Sequence, residues 1–103
     1  MKGIVWGLNI DSAIKKLEEI EKLYEIHNVS VLVYKAKTKN KYEIRYINGD
    51  HWIACGASES ARGRKCNISY IDARIDDEII NCIIKPCTSI QPYQAFHYYW
   101  DFV

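Results

Sequence analysis

Arg62-Gly63-Arg64-Lys65 is the densest basic stretch of this 103-residue chain, and the apolar run after it, Cys66 to Ile71, ends on Asp72. Guanidinium forks and the backbone N–H groups of a glycine-containing loop both suit phosphate or carboxylate oxygens. Arg74 adds a further guanidinium just past Asp72, and Trp52 offers a flat ring on which a base or guanidinium can stack. The expected ligand- or partner-binding set is therefore Arg62, Gly63, Arg64, Lys65, Arg74 and Trp52. The competing reading of Arg62-Gly63-Arg64 is a solvated turn.

Other chemistry finds less support. Asp50, His51, Asp72, Asp76 and Asp77 are side chains that a hard cation would take in a hydrolytic site. Each carboxylate also has a structural use: Asp72 can cap a turn, and Asp76 and Asp77 can start a helix. Cys55, Cys66, Cys82 and Cys87 contain no C-x-x-C pair, and the Cys82/Cys87 spacing is too loose for a zinc knuckle. They are expected to be buried or indifferent thiols. No histidine motif accompanies a cysteine, and Ser58 and Ser60 lack the G-x-S-x-G elbow. The reading is of a protein that is not an enzyme, with no catalytic residue, no metal and no cofactor.

Composition bounds the partner. With 49% hydrophobic and 26% charged residues the chain is globular, and residues 1–103 are expected to form a single domain. A net charge of +1 excludes an acidic imitation of DNA and a basic coat for long nucleic acid. Recognition of an anion must then be local. Met1 to Gly7 is too short for a secretory core, and no apolar run approaches a membrane span. The expected location is the cytoplasm, where the cysteines stay reduced.

The elements that must position these residues are legible from periodicity. Gly3 to Gly7 reads as a strand. Asn9 or Asp11 can cap a helix over 11–26, in which Ile10, Ile14, Leu17, Ile20 and Tyr24 recur at helical spacing. Val29 to Tyr34 is a β-branched strand, and Thr38-Lys39-Asn40 turns the chain into Tyr42 to Ile47. Asn48-Gly49 predicts a two-residue hairpin loop that pairs Ile47 with Asp50, Arg45 with Trp52 and Ile44 with Ile53. Tyr42, Ile44, Tyr46, His51, Ile53 and Cys55 would then face the helix, and Trp52 would lie on the wetter face beside Arg45. Cys66 to Ile71 is a further strand, and 76–84 a short helix ended by Pro86. The aromatic tail, 93–102, reads either as an edge strand packed on the sheet or as an exposed aromatic surface. The expected whole is an α+β domain: a largely antiparallel sheet of about five strands, with one long amphipathic helix and one short helix mainly on one face.

The run from Tyr46-Ile47-Asn48-Gly49-Asp50 through Ser60-Ala61-Arg62-Gly63 to Ile68-Ser69-Tyr70-Ile71-Asp72 resembles a short segment of the phage terminase large subunit. In that family an N-G hairpin precedes a Ser-Ala-Arg-Gly loop and a Walker B-like strand. By position, Asp72 matches the first acidic residue of that strand. Ala73 stands where the second, water-activating acid would be, and no G-x-x-x-x-G-K-[ST] loop occurs. The resemblance implies a small phage or prophage protein without the means of phosphoryl transfer. The expected function is a phage-encoded binding protein that interferes with a host defence system in the host cytoplasm. It would act through its basic loop, as an anti-CRISPR-like inhibitor or a sponge for a nucleotide signal. Its partner would be a defence effector protein, or that effector's nucleotide or nucleic-acid ligand. The alternative is a structural or assembly accessory, a homo-oligomer built through an edge strand and the aromatic tail.

Overall fold

The computed structural model describes residues 1–58, 65–88 and 96–100. Along the chain come β1 (Lys2–Gly7), α1 (Ile10–Ile26), β2 (Leu32–Thr38), β3 (Lys41–Tyr46), β4 (His51–Gly56) and β5 (Ile68–Asp72). A second helical segment follows in three consecutive pieces: α2 (Asp77–Ile79), a π-helical turn (Ile80–Ile84) and α3 (Lys85–Cys87). Strand β6 (Phe96–Trp100) completes one six-stranded sheet, in the order β2-β3-β4-β1-β5-β6.

The α+β class holds, with one long helix and one short helical segment. The sheet within it is mixed. Strands β2, β3 and β4 pair antiparallel, whereas β1 pairs parallel with both β4 and β5, and β5 pairs parallel with β6. The helical elements also lie on opposite faces. Val5 of β1 joins Ala13, Leu17 and Ile20 of α1 in one core, while Ile4 and Trp6 join Ile71, Ile80, Ile83 and Ile84 in the other. A strand covered on both faces must be apolar at successive positions, and Ile4, Val5 and Trp6 are all fully buried.

Helix α1 begins on a capping box: the Ser12 N–H donates to Asn9 Oδ1 (2.9 Å), and the Asn9 N–H donates to Ser12 Oγ (3.3 Å). It ends in a Schellman motif, with Val29 N–H donating to the Tyr24 carbonyl and Asn28 N–H to that of Glu25. Asn28 takes the left-handed conformation this stop requires (φ 50°). Because Val29 is spent on the stop, β2 starts at Leu32, later than the β-branched run suggests. Pro86 does not end the second helical segment. The π turn redirects Lys85 N–H to the Ile80 carbonyl, and the helix resumes with Pro86 in its first turn, where a missing donor costs nothing.

The β3–β4 hairpin departs from expectation by one residue. Its register is Glu43 with Ile53, Ile44 with Trp52 and Arg45 with His51, so Ile47-Asn48-Gly49 is a three-residue loop. Tyr46 N–H donates to the Asp50 carbonyl (2.8 Å), Gly49 N–H to the Tyr46 carbonyl (3.0 Å), and Gly49 sits at φ 97°. That pattern is a tight turn followed by a left-handed glycine, the next commonest hairpin solution. A shift of one residue inverts a strand. Thus Tyr42, Ile44 and Tyr46 face α1 as expected, but Trp52 and Ala54 join them, while Cys55 enters the opposite core. Trp52 is therefore buried and not beside Arg45, which instead lies over the Tyr34 ring and donates to Glu43.

Trp52 lies flat over Gly3, where an added Cβ would sit 2.4 Å from its ring. The ring cannot swing away cheaply, because its Nε1–H is held by Tyr24 Oη at 3.1 Å. Gly3→Ala is expected to cost about 2 kcal/mol through overpacking, read as a fall in Tm of roughly 10 °C. Gly49→Ala meets no neighbouring atom and should cost only its backbone strain, about 1 kcal/mol. Thermal denaturation of both variants checks the order.

Candidate functional site

Parallel pairing brings the carboxyl ends of β1, β4 and β5 to one edge of the sheet: Gly7 is opposite Gly56, and Trp6 opposite Ile71, one residue before Asp72. From β1 the chain continues through α1 on one face, and from β5 through the second helical segment on the other. In open sheets with parallel strands, such a point of reversal forms the crevice where ligands bind. The first turn of α1 lies at this edge. An added Cβ on Gly7 would come within 2.4 Å of the Ala13 nitrogen, and one on Gly56 within 3.3 Å of the Ile10 nitrogen. Two glycines thus let the helix start rest directly on the strand ends.

Asp72 is a charged group at this edge, and it is fully buried. Its Oδ1 accepts from the Arg74 backbone N–H (3.0 Å) and Nε–H (3.1 Å), and its Oδ2 from Arg74 Nη2–H (2.7 Å). The forked guanidinium hydrogen bonds hold the carboxyl below its ordinary value of 3.8, against the opposing effect of burial, and a Leu8 backbone donor adds to them. Arg74 is raised in turn, chiefly by the same hydrogen bonds. Its guanidinium remains 43% exposed, so the pair presents an oriented cation at the surface over a hidden anion. The helix start contributes less. Its N-cap is occupied by Asn9 and Ser12, and Asp11 in its first turn repels an incoming anion.

The expected binding residues do not form one cluster among the described residues. Trp52 is buried under α1. Exposed Lys65 precedes the amino end of β5, while Arg74 follows its carboxyl end, so the strand separates them. Arg62, Gly63 and Arg64 lie outside the described residues. The carboxylates weighed as metal ligands are dispersed: Asp76 caps α2 through Glu78 N–H, Asp50 accepts from Tyr24 Oη (2.7 Å), and His51 sits against Glu43 Oε2 (2.5 Å). Among the described residues no group of three His, Cys, Asp or Glu side chains is placed to hold a metal ion. Cys55, Cys66 and Cys87 are buried and Cys82 is exposed, and burial pushes the Cys66 thiol up. The Asp72–Arg74 pair had a signal in the sequence. Two opposite charges two residues apart, just after an apolar strand, suit a carboxylate that caps the turn with its own backbone and then binds the side chain that follows.

Comparison of the chain with family models, with curated proteins and with solved structures finds no match. No helix among the described residues is long and apolar enough to cross a membrane.

Because the folded carboxyl titrates below its unfolded value, Asp72 contributes stability that is present above about pH 4 and lost as pH falls through the lower folded value. Asp72→Asn leaves Arg74 without its anion and is expected to lower Tm at pH 7 by on the order of 10 °C. That deficit should shrink at pH 3, where the parent protein begins to lose the same charge. Melting curves of both proteins at pH 7, 5 and 3 test this; a deficit constant with pH would contradict it.

Proposed function

We propose that this chain is a small, non-enzymatic binding protein that recognises an anionic partner through its basic residues. The observation that carries the reading is the state of Asp72. A strand-end acid that manages magnesium and a nucleotide must be open to the metal; this one is buried and fully engaged by Arg74. What stands at the surface over it is the half-exposed guanidinium of Arg74, a group suited to holding anions and not to turning them over. With Lys65 exposed and Arg62-Gly63-Arg64 in the same connection, the surface chemistry suits a nucleotide signal or the acidic face of an effector protein. The resemblance of residues 46–72 to a terminase segment supports phage origin and action on a host defence system, of the anti-CRISPR or signal-sponge kind, in the host cytoplasm.

A second reading, assembly through edges, draws on a separate observation. Tyr98 and Tyr99 on edge strand β6 are half exposed, at 46% and 51%, and Tyr98 stacks on Tyr70 (5.6 Å, 25°), while Trp100 is buried. Such an edge can pair with another copy.

An unbiased pull-down from host lysate, followed by native mass spectrometry, separates these readings. Arg62→Glu and Arg64→Glu are each expected to weaken the captured association about tenfold, the scale of one charge-assisted contact. A nucleotide sponge should also co-purify with material absorbing at 260 nm and gain thermal stability from cyclic nucleotides. If charge reversal leaves every association intact while loss of the 93–103 tail abolishes it, assembly is the function and the basic-residue proposal fails.

A further inference from the structure

The last turns of α1 and the adjoining ends of β2 and β3 border a half-open cavity of about 370 Å³. It lies on the α1 face of the sheet, and Asp72 and Arg74 do not line it. Its wall is a stacked pair of rings, Tyr24 and Tyr46, with centroids 4.1 Å apart and planes at 18°. Tyr24 Oη is fully used, donating to Asp50 Oδ2 and accepting from Trp52 Nε1–H. Tyr46 is not so placed. Its side chain is 4% exposed, and its Oη is a buried polar atom without a hydrogen-bond partner. A buried hydroxyl left unpaired destabilises the folded state, and a phenylalanine would supply the same ring without that cost. Burial pushes the Tyr46 phenol up to about 12, with Glu21 adding to the effect, so at neutral pH the hydroxyl keeps its hydrogen and its lone pairs.

The charges around this hydroxyl point to one class of occupant. Glu21 and Glu25 both line the cavity. Glu21 is partly satisfied, accepting from Tyr42 Oη and lying 3.2 Å from Lys35 Nζ. Glu25 makes no side-chain hydrogen bond or ion pair among the described residues, and it lies in the last turn of α1, which carries no basic residue. An acid there opposes the negative end of the helix dipole, the position a cation would favour. An unsatisfied phenol and an exposed carboxylate without a partner among the described residues thus border one cavity.

We propose that this cavity binds an organic cation, an alkylammonium or guanidinium group. Glu25 supplies the counter-charge with help from Glu21, the tyrosine pair forms a flat wall for the cation, and Tyr46 Oη accepts one of its N–H groups. The volume accommodates such a group with a short aliphatic stem. The same chemistry reaches the cavity either as a free small amine or as an arginine side chain of a partner.

Agmatine and a short peptide with a single arginine, each titrated by calorimetry and by thermal shift, test the proposal on the full chain. One saturable site is expected, weakened about tenfold by Glu25→Gln, the loss expected for one charge-assisted contact. Tyr46→Phe should weaken binding several-fold while its ligand-free Tm equals or exceeds that of the parent, since only the unpaired hydroxyl is removed. Tighter binding of the peptide identifies a partner side chain as the source, and tighter binding of agmatine a free amine. Absence of any shift at millimolar agmatine and peptide, or binding unchanged in both variants, overturns it.

Discussion

Everything in this fold depends on β1 having a neighbour on each side and a core on each face. Its backbone groups pair with β4 and β5, Val5 points into the core under α1, and Ile4 and Trp6 point into the core under the second helical segment. The far core is tied to the strand by a directed chain of hydrogen bonds. Trp6 Nε1–H donates to Ser69 Oγ (2.9 Å), and Ser69 lies 2.7 Å from Thr88 Oγ1. Thr88 gives its own hydrogen to the Ile84 carbonyl (2.7 Å), so Ser69 must be the donor to Thr88. Three side chains thereby fix β1, β5 and the helical segment in one arrangement, and the hydroxyls of Ser69 and Thr88 are both satisfied.

Local signals in the sequence carried the fold a long way, and they failed where a distant partner or one backbone conformation decided the outcome. The amphipathic stripe from Ile10 to Tyr24 placed α1 almost to the residue, because helical periodicity and the Asn9 cap are both local. Parallel pairing had no such signal. A strand buried on both faces shows only a continuous apolar run, as Ile4-Val5-Trp6 does, and says nothing of its neighbours. The Asn48-Gly49 pair correctly marked the hairpin but not its length, since a left-handed glycine serves two-residue and three-residue loops alike. That single ambiguity decided on which face Trp52 lay.

The candidate sites were legible to different degrees for the same reason. Asp72 and Arg74 are two residues apart, so their pairing is local, and reading Arg74 as a ligand contact alone overlooked the acceptor beside it. Glu21, Glu25 and Tyr46 come from α1 and β3, and no spacing rule joins them. Only the packing of the long helix over the hairpin brings them to one cavity. Individually, Glu25 looks like an ordinary solvated helix residue, and Tyr46 like an ordinary core aromatic.

The position of β1 in the chain has a consequence for how the protein is made. The strand emerges before all of its partners: Lys2 must wait for His51 and Gly3 for Ile68 before either edge of it is paired. Helix α1 and the β2–β3–β4 meander rest on near-neighbour contacts and can organise early, whereas pairings of such long separation form slowly. Until β4 arrives, an apolar strand with two open edges is exposed on the nascent chain, the state most prone to mispairing with other chains. A strand synthesised ahead of all its partners is thus among the last to be secured.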